Sequence, residues 1–174
     1  MCFRVSRVSK WFIFLPVSTQ WLPSDATTTV VSGDFYILGI LTSNTHRIWV
    51  EAQSSSLGET LRHTSTTCFK TFPFPQLPTP NLITAIRTTA QELHDYRSTQ
   101  MEKKQWGITK LYNEYFHEPT SQLSKLHAKL DALVLQAYGF NPGDDLLTKL
   151  LELNQKLAEK EKQGETVVGP WAPT

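Results

Sequence analysis

The sequence predicts an α+β chain: a small strand–helix–strand module followed by a mostly helical segment. Three observations lead there. Residues 1–31 are rich in β-branched and aromatic side chains and are punctuated by Pro16, Pro23, Ser24 and Asp25, the composition of short strands joined by turns. From residue 79 onward apolar residues recur at spacings of three and four, the period of a helix with one buried face. With 174 residues and 40% hydrophobic side chains, the chain can bury one core.

Taken in order, Cys2–Val5, Trp11–Leu15 and Thr27–Val31 read as strands. A single helix fits residues 34–53, capped by Asp34 and burying Ile37, Leu38, Leu41, Ile48 and Trp49. Loop and strand character returns over 54–80, with Ser54-Ser55-Ser56 and then the run from Thr67 to Pro75. Thr79-Pro80 is a helix start, a capping residue followed by Pro in the first turn. A second long helix fits Thr120–Tyr138, with Leu123, Leu126, Leu130, Leu133 and Ala137 on one stripe and Gly139 as its stop. Asp144 and Asp145 open the last helix, with Leu146, Leu150, Leu153 and Leu157 inward and Glu152 paired to Lys156 outside. The organisation expected is a module at 1–78, a helical segment at 79–163 and a disordered tail at 164–174.

Charge narrows the function. Seventeen Lys and Arg against 16 Asp and Glu leave a formal +1, too little for coating nucleic acid by bulk charge. The balance is uneven, however. Residues 1–24 hold Arg4, Arg7 and Lys10 with no acid, whereas residues 101–174 hold nine Lys among ten acids. The basic excess therefore sits at the N-terminal end, where a polyanion could meet it. The longest strongly apolar run, Trp11–Leu15, is far short of the roughly 20 residues that span a bilayer. Two cysteines, Cys2 and Cys68, build no disulfide framework. A soluble, cytoplasmic chain is expected.

Catalytic motifs are scarce. His46, His63, His94, His117 and His127 are scattered without metal-ligand spacing, and such lone histidines are most often packing or surface residues. No GxGxxG, GxxxxGK[ST] or GxSxG occurs. Asn141-Pro142-Gly143-Asp144 shares two residues with an Asn-Pro-Pro-aromatic motif and reads as a turn. No catalytic residue, metal ligand or cofactor-binding residue is assigned.

Several phrases, taken together and in order, carry more information. They are Arg7-Val8-Ser9-Lys10, Phe35 through Ser43, His46 through Val50, Thr67 through Pro75, Leu111-Tyr112-Asn113, Leu130 through Gly139, and Leu150 through Asn154. In order and spacing, from about residue 4 to 163, they resemble the C-terminal part of the adenine-specific DNA methyltransferases of bacterial type IIG restriction–modification systems. The part resembled is the end of the target-recognition domain plus the helical elements behind it.

The resemblance implies double-stranded DNA as a partner and, as a second one, a separately encoded methyltransferase domain. In that family S-adenosylmethionine is the cofactor and an Asn-Pro-Pro-aromatic motif holds a flipped adenine; neither motif occurs in this sequence. No methyl transfer is therefore expected from this chain alone, which reads as a fragment with a start inside the longer gene. Within it Arg4, Arg7 and Lys10 are the candidates for phosphates. Arg47 and Arg62 flank the serine loop, and Glu59 with Arg62 are the candidates for base edges. A non-enzymatic helical protein–protein interaction module and a non-functional gene remnant are the alternative readings.

Overall fold

A computed structural model describes residues 1–20, 22–54, 56–57 and 60–169. Strand β1 (Cys2–Ser6) is central in a three-stranded antiparallel sheet, between β3 (Leu15–Val17) and β4 (Thr27–Val30). Pro16 stands opposite Phe3 on β3, an edge strand, where a missing N–H can be tolerated. A second antiparallel ribbon joins β2 (Val8–Ser9) to β6 (Thr60–Arg62), which in turn pairs with β5 (Ser56–Leu57). Phe3, Val5 and Val30 are buried, so the first sheet lays one face on the helices.

Trp11–Phe14 does not extend the strands, contrary to the sequence expectation. The Ser9 hydroxyl accepts from the Trp11 N–H (3.1 Å) and donates to the Trp11 carbonyl (2.6 Å), and Ile13 N–H turns back to that carbonyl. With these groups used locally, the ladder resumes only at Leu15. The expected helix over 34–53 is two helices, α1 (Phe35–Thr42) and α2 (Asn44–Gln53). Ser43 separates them in extended backbone, its hydroxyl donating to Ile40 O at 2.7 Å and accepting the His46 N–H. An internal serine acting as an N-cap competes with helix continuation.

The Thr67–Phe69 run also departs from a strand. Ser65–Phe69 form a π-helical turn capped by Thr64. Beyond it Phe72, Pro73, Phe74 and Pro75 are buried in irregular backbone, since proline cannot donate to a ladder.

The helical segment follows its sequence signals closely. Thr79 caps α3 (Pro80–Lys104), and α4 (Ile108–Tyr115) follows a left-handed Gln105. Ser121 caps α5 (Gln122–Tyr138), which Gly139 closes at φ +69°. Asp145 caps α6 (Leu146–Lys162). On α5 the buried stripe uses Val134 with Leu133 only half-buried, and on α6 only Leu150 is fully buried. Glu152 and Lys156 form no ion pair; among the described residues the helical-spacing pairs are Arg47–Glu51 and Glu159–Lys162. Residues 164–169, expected to be disordered, are tied back where Gln76 exchanges two 3.0 Å hydrogen bonds with Val168.

The two segments share one core, running from Phe3 through Ile37, Ile86 and Leu130 to Leu150. Asp34 shows how they are joined. It caps Tyr36 N–H and accepts a two-pronged contact from Arg87 of α3, at 2.7 and 2.6 Å, which holds its carboxyl below the usual carboxylate range.

Gly39 is the closest point of approach. A Cβ there would lie 2.6 Å from Ile86 Cγ2, 3.3 Å from Ala90 Cβ and 3.4 Å from a Leu130 methyl. Ile86 Cγ2 sits on a stiff β-branched stem and cannot swing clear. Gly39→Ala should therefore destabilise the protein, because about 1–3 kcal/mol of overpacking outweighs the about 1 kcal/mol of helix propensity gained. Chemical denaturation checks this, and a variant more stable than the parent would refute the close packing of α1 on α3 and α5.

Candidate nucleic-acid interface

The chain's basic N-terminal residues meet its serine loop through strand pairing. Arg62 on β6 stands opposite Val8, and the Arg7 carbonyl accepts the His63 N–H at 2.8 Å. Residues more than fifty apart in sequence thus become neighbours. Arg7, Lys10 and Arg62 are all exposed.

Trp11 organises the next part of the surface. It is 5% exposed, and its Nε1–H donates to Asn113 Oδ1 on α4 at 2.8 Å. Its ring meets Phe116 edge-on at 4.9 Å. The Lys10 ammonium and the Arg47 guanidinium each lie 5.4 Å from its centroid. Arg47, from α2, also lies over Phe116 and donates from Nε to Glu51 at 2.8 Å. A guanidinium held this way keeps other N–H groups at its edge, since cation–π contact uses the face of the ion.

The expected residues divide as follows. Arg7, Lys10, Arg47 and Arg62 are brought around β2 and Trp11. Arg4 is half-buried beside a hollow lined also by Ser6, Ser9, Trp11, Thr27 and Thr109. Glu59 lies outside the described residues. Sequence reasoning gave Trp11 no site role. The adjacent Lys10 was a visible signal, but the second cation, Arg47, is 36 positions away and joins it only through the fold.

A second hollow opens between Trp11, Phe12, the α1–α2 junction and α5. At its floor Asp131 accepts the Asn44 N–H, the first of α2, at 2.7 Å, while burial pushes its carboxyl up to about 6. Tyr112 accepts from Arg97 Nη1 at 3.0 Å and stands 2.8 Å from His127 Nε2. Burial, reinforced by the charges of Arg97 and Arg47, pushes His127 down to about 3. The imidazole is thus neutral, and it shares a hydrogen bond with the Tyr112 hydroxyl. His46 and His63 are buried beside Phe14 and Phe72. These histidines are packing groups here. No cluster of three or more His, Cys, Asp or Glu able to hold a metal occurs among the described residues, and no described helix is long and apolar enough to cross a membrane.

The arrangement defines a class of protein: a strand module on a helical scaffold, with cations gathered where the two meet. Comparison with known proteins shows what the chain is similar to. Residues 5–76 match the family model "MmeI, target recognition domain". The chain is 31% identical over 137 residues to DNA methyltransferase A of Bacillus subtilis, covering 75% of this chain and 14% of that protein. It also matches the type IIL restriction–modification enzyme MmeI, solved in complex with DNA, with a TM-score of 0.75 at 23% identity. That match covers 91% of this chain and 21% of the enzyme. The chain thus spans a minor part of each relative's length.

Proposed function

We propose that this chain binds duplex DNA as the target-recognition part of an adenine-specific methyltransferase of the type IIG kind, whose catalytic part lies outside these residues. Arg7, Lys10 and Arg47 neutralise phosphates, and polar side chains between residues 54 and 67, Glu59 and Arg62 included, reach base edges. The helical segment holds that surface in place. The catalytic part would supply S-adenosylmethionine chemistry and the pocket for a flipped base. The observation that carries the reading is the pairing of β2 with β6, which sets Arg62 and the serine loop beside Arg7–Lys10.

Titration with duplex DNA at several salt concentrations tests it. Replacing Arg7 and Lys10 with Ala should weaken binding to all sequences alike and lower the log–log salt slope by about 0.9 for each phosphate no longer neutralised. Loss of a base-reading side chain should instead cost about 1–3 kcal/mol at one base pair and leave the slope nearly unchanged. A demonstrably folded sample that fails to bind at low salt would overturn the proposal.

A further inference from the structure

We infer that the corner between α3 and α4 is a second phosphate-contacting surface, built from Lys104, Lys110, Trp106 and Tyr115. The inference rests on the DNA-binding reading above and extends it to residues in the helical segment, which neither the family model's span nor the sequence motifs reach.

The local arrangement is unusual for lysines that merely keep a surface hydrated. Lys110 Nζ lies 4.4 Å from the Trp106 ring centroid and Lys104 Nζ lies 4.9 Å from the same centroid. Lys104 is also 5.3 Å from the Tyr115 ring, which stacks on Trp106 with an interplanar angle of 22°. Two ammonium groups therefore share one indole. Among the described residues neither has a carboxylate within ion-pair distance. Glu102 and Glu114 are the nearest acids in sequence, and neither pairs with them.

Helix electrostatics explain only half of this. Lys103 and Lys104 stand in the last turn of α3, where a cation is favourable. Lys110 stands in the first turn of α4, where a cation is unfavourable, behind a Gly107 cap that contributes no side chain. A lysine placed against the helix dipole and beside a like charge calls for an anion that the chain itself does not supply.

The corner is also rigid. Gln105 is the one described non-glycine residue with positive φ, at 52°. Its N–H reaches the carbonyls of Glu102 and Met101, its side-chain amide donates to Glu102 O at 2.9 Å, and Trp106 N–H bonds Met101 O at 3.0 Å. Rings that hold the lysine stems in place reduce the ordering cost of meeting a phosphate. A lysine on a ring face still turns N–H groups outward, and as a point charge it suits a backbone rather than a base edge.

Position ties the corner to the first surface. Ile108 and Thr109 line one hollow together with Arg4, Ser9 and Trp11. The Trp11–Asn113 hydrogen bond fastens α4 to the segment that carries Lys10. A duplex lying along Lys10 and Arg62 thus has a second cationic contact across that hollow.

The experiment uses the full chain and a duplex of about 20 base pairs, with Lys104→Ala/Lys110→Ala compared against Arg7→Ala/Lys10→Ala. Removing either cation pair should lower the salt slope by about 1.8 and weaken binding roughly tenfold at low salt, equally for every sequence. Unchanged unfolding midpoints confirm that the variants are folded. Trp106→Phe should retain binding, since the ring face remains, whereas Lys104→Glu/Lys110→Glu should exceed the alanine effect. If the parent binds and Arg7→Ala/Lys10→Ala lowers the slope while both corner variants leave it unchanged, the corner is not a DNA contact. If the parent does not bind at all, the DNA-binding reading itself fails.

Discussion

Between pH 7.5 and pH 5.5 the folded protein should lose about 3–4 kcal/mol of stability, most of it through three buried imidazoles. His46 and His127 are pushed down to about 3 and His63 to about 4, in each case chiefly by burial. The His46 ring makes one hydrogen bond, to Leu41 O at 2.9 Å, and its Nε2 and both ring nitrogens of His63 have no partner among the described residues. The sign follows from proton counting. An unfolded histidine takes up a proton below its ordinary 6.5, while the folded one does not until about 3 or 4. The unfolded state therefore binds more protons, and stability falls as pH falls from 6.5. Each group contributes about 1.4 kcal/mol at one unit below its ordinary value. Asp131 works in the opposite direction, since its carboxyl is raised to about 6 and the folded state gains a proton first. It offsets a little under 1 kcal/mol at pH 5.5, roughly what a raised carboxyl recovers half a unit below its folded value. Denaturation curves at several pH values check this, with His63→Phe expected to flatten the acid limb. A profile flat from pH 7.5 to 5.5 would mean that these rings are not buried neutral.

Trp11→Ala should cost about 3–5 kcal/mol, the range for a large aromatic removed from a packed site. The indole is 5% exposed, meets Phe116 at 4.9 Å and hydrogen-bonds Asn113 across the boundary between the strand module and α4. It is also the platform under Lys10 and Arg47, so DNA affinity should fall beyond what unfolding explains. Trp11→Phe keeps a ring and loses the hydrogen bond. Because Asn113 is exposed and can turn to water, that change should cost about 1 kcal/mol plus a smaller packing loss. Guanidinium unfolding ranks the two variants. An alanine variant within about 1 kcal/mol of the parent would show that the module and α4 are not joined through this ring.

The features legible in the sequence are those whose causes lie within a few residues. Asp34 and Thr79 cap helices where caps were expected, and Asp145, expected only to open the last helix, caps it, because a capping side chain reaches only two or three residues along its own chain. Gly139 ends α5 because φ +69° at a helix end suits a residue without a Cβ. The resemblance to restriction–modification methyltransferases was also readable, since it rests on the order of short phrases, and the family match at 5–76 bears it out.

Where local signals competed, the sequence was ambiguous. Ser43 falls inside the single helix expected over 34–53, yet its hydroxyl bonds Ile40 and His46 and divides the run in two. Trp11–Phe14 had strand composition, but Ser9 took the backbone groups a ladder would have needed.

By itself the sequence determined the class of fold, the positions of most helix ends and the presence of a basic N-terminal stretch. The tertiary structure alone decided which cations stand together. The β2–β6 pair sets Arg62 beside Arg7, Arg47 reaches Lys10 through the Trp11 ring, and Arg4 lines a hollow together with Ser9 and Trp11. The reason is physical. Capping and periodicity act over one helical turn, whereas Coulomb and cation–π contacts depend on distance in space and are indifferent to separation along the chain.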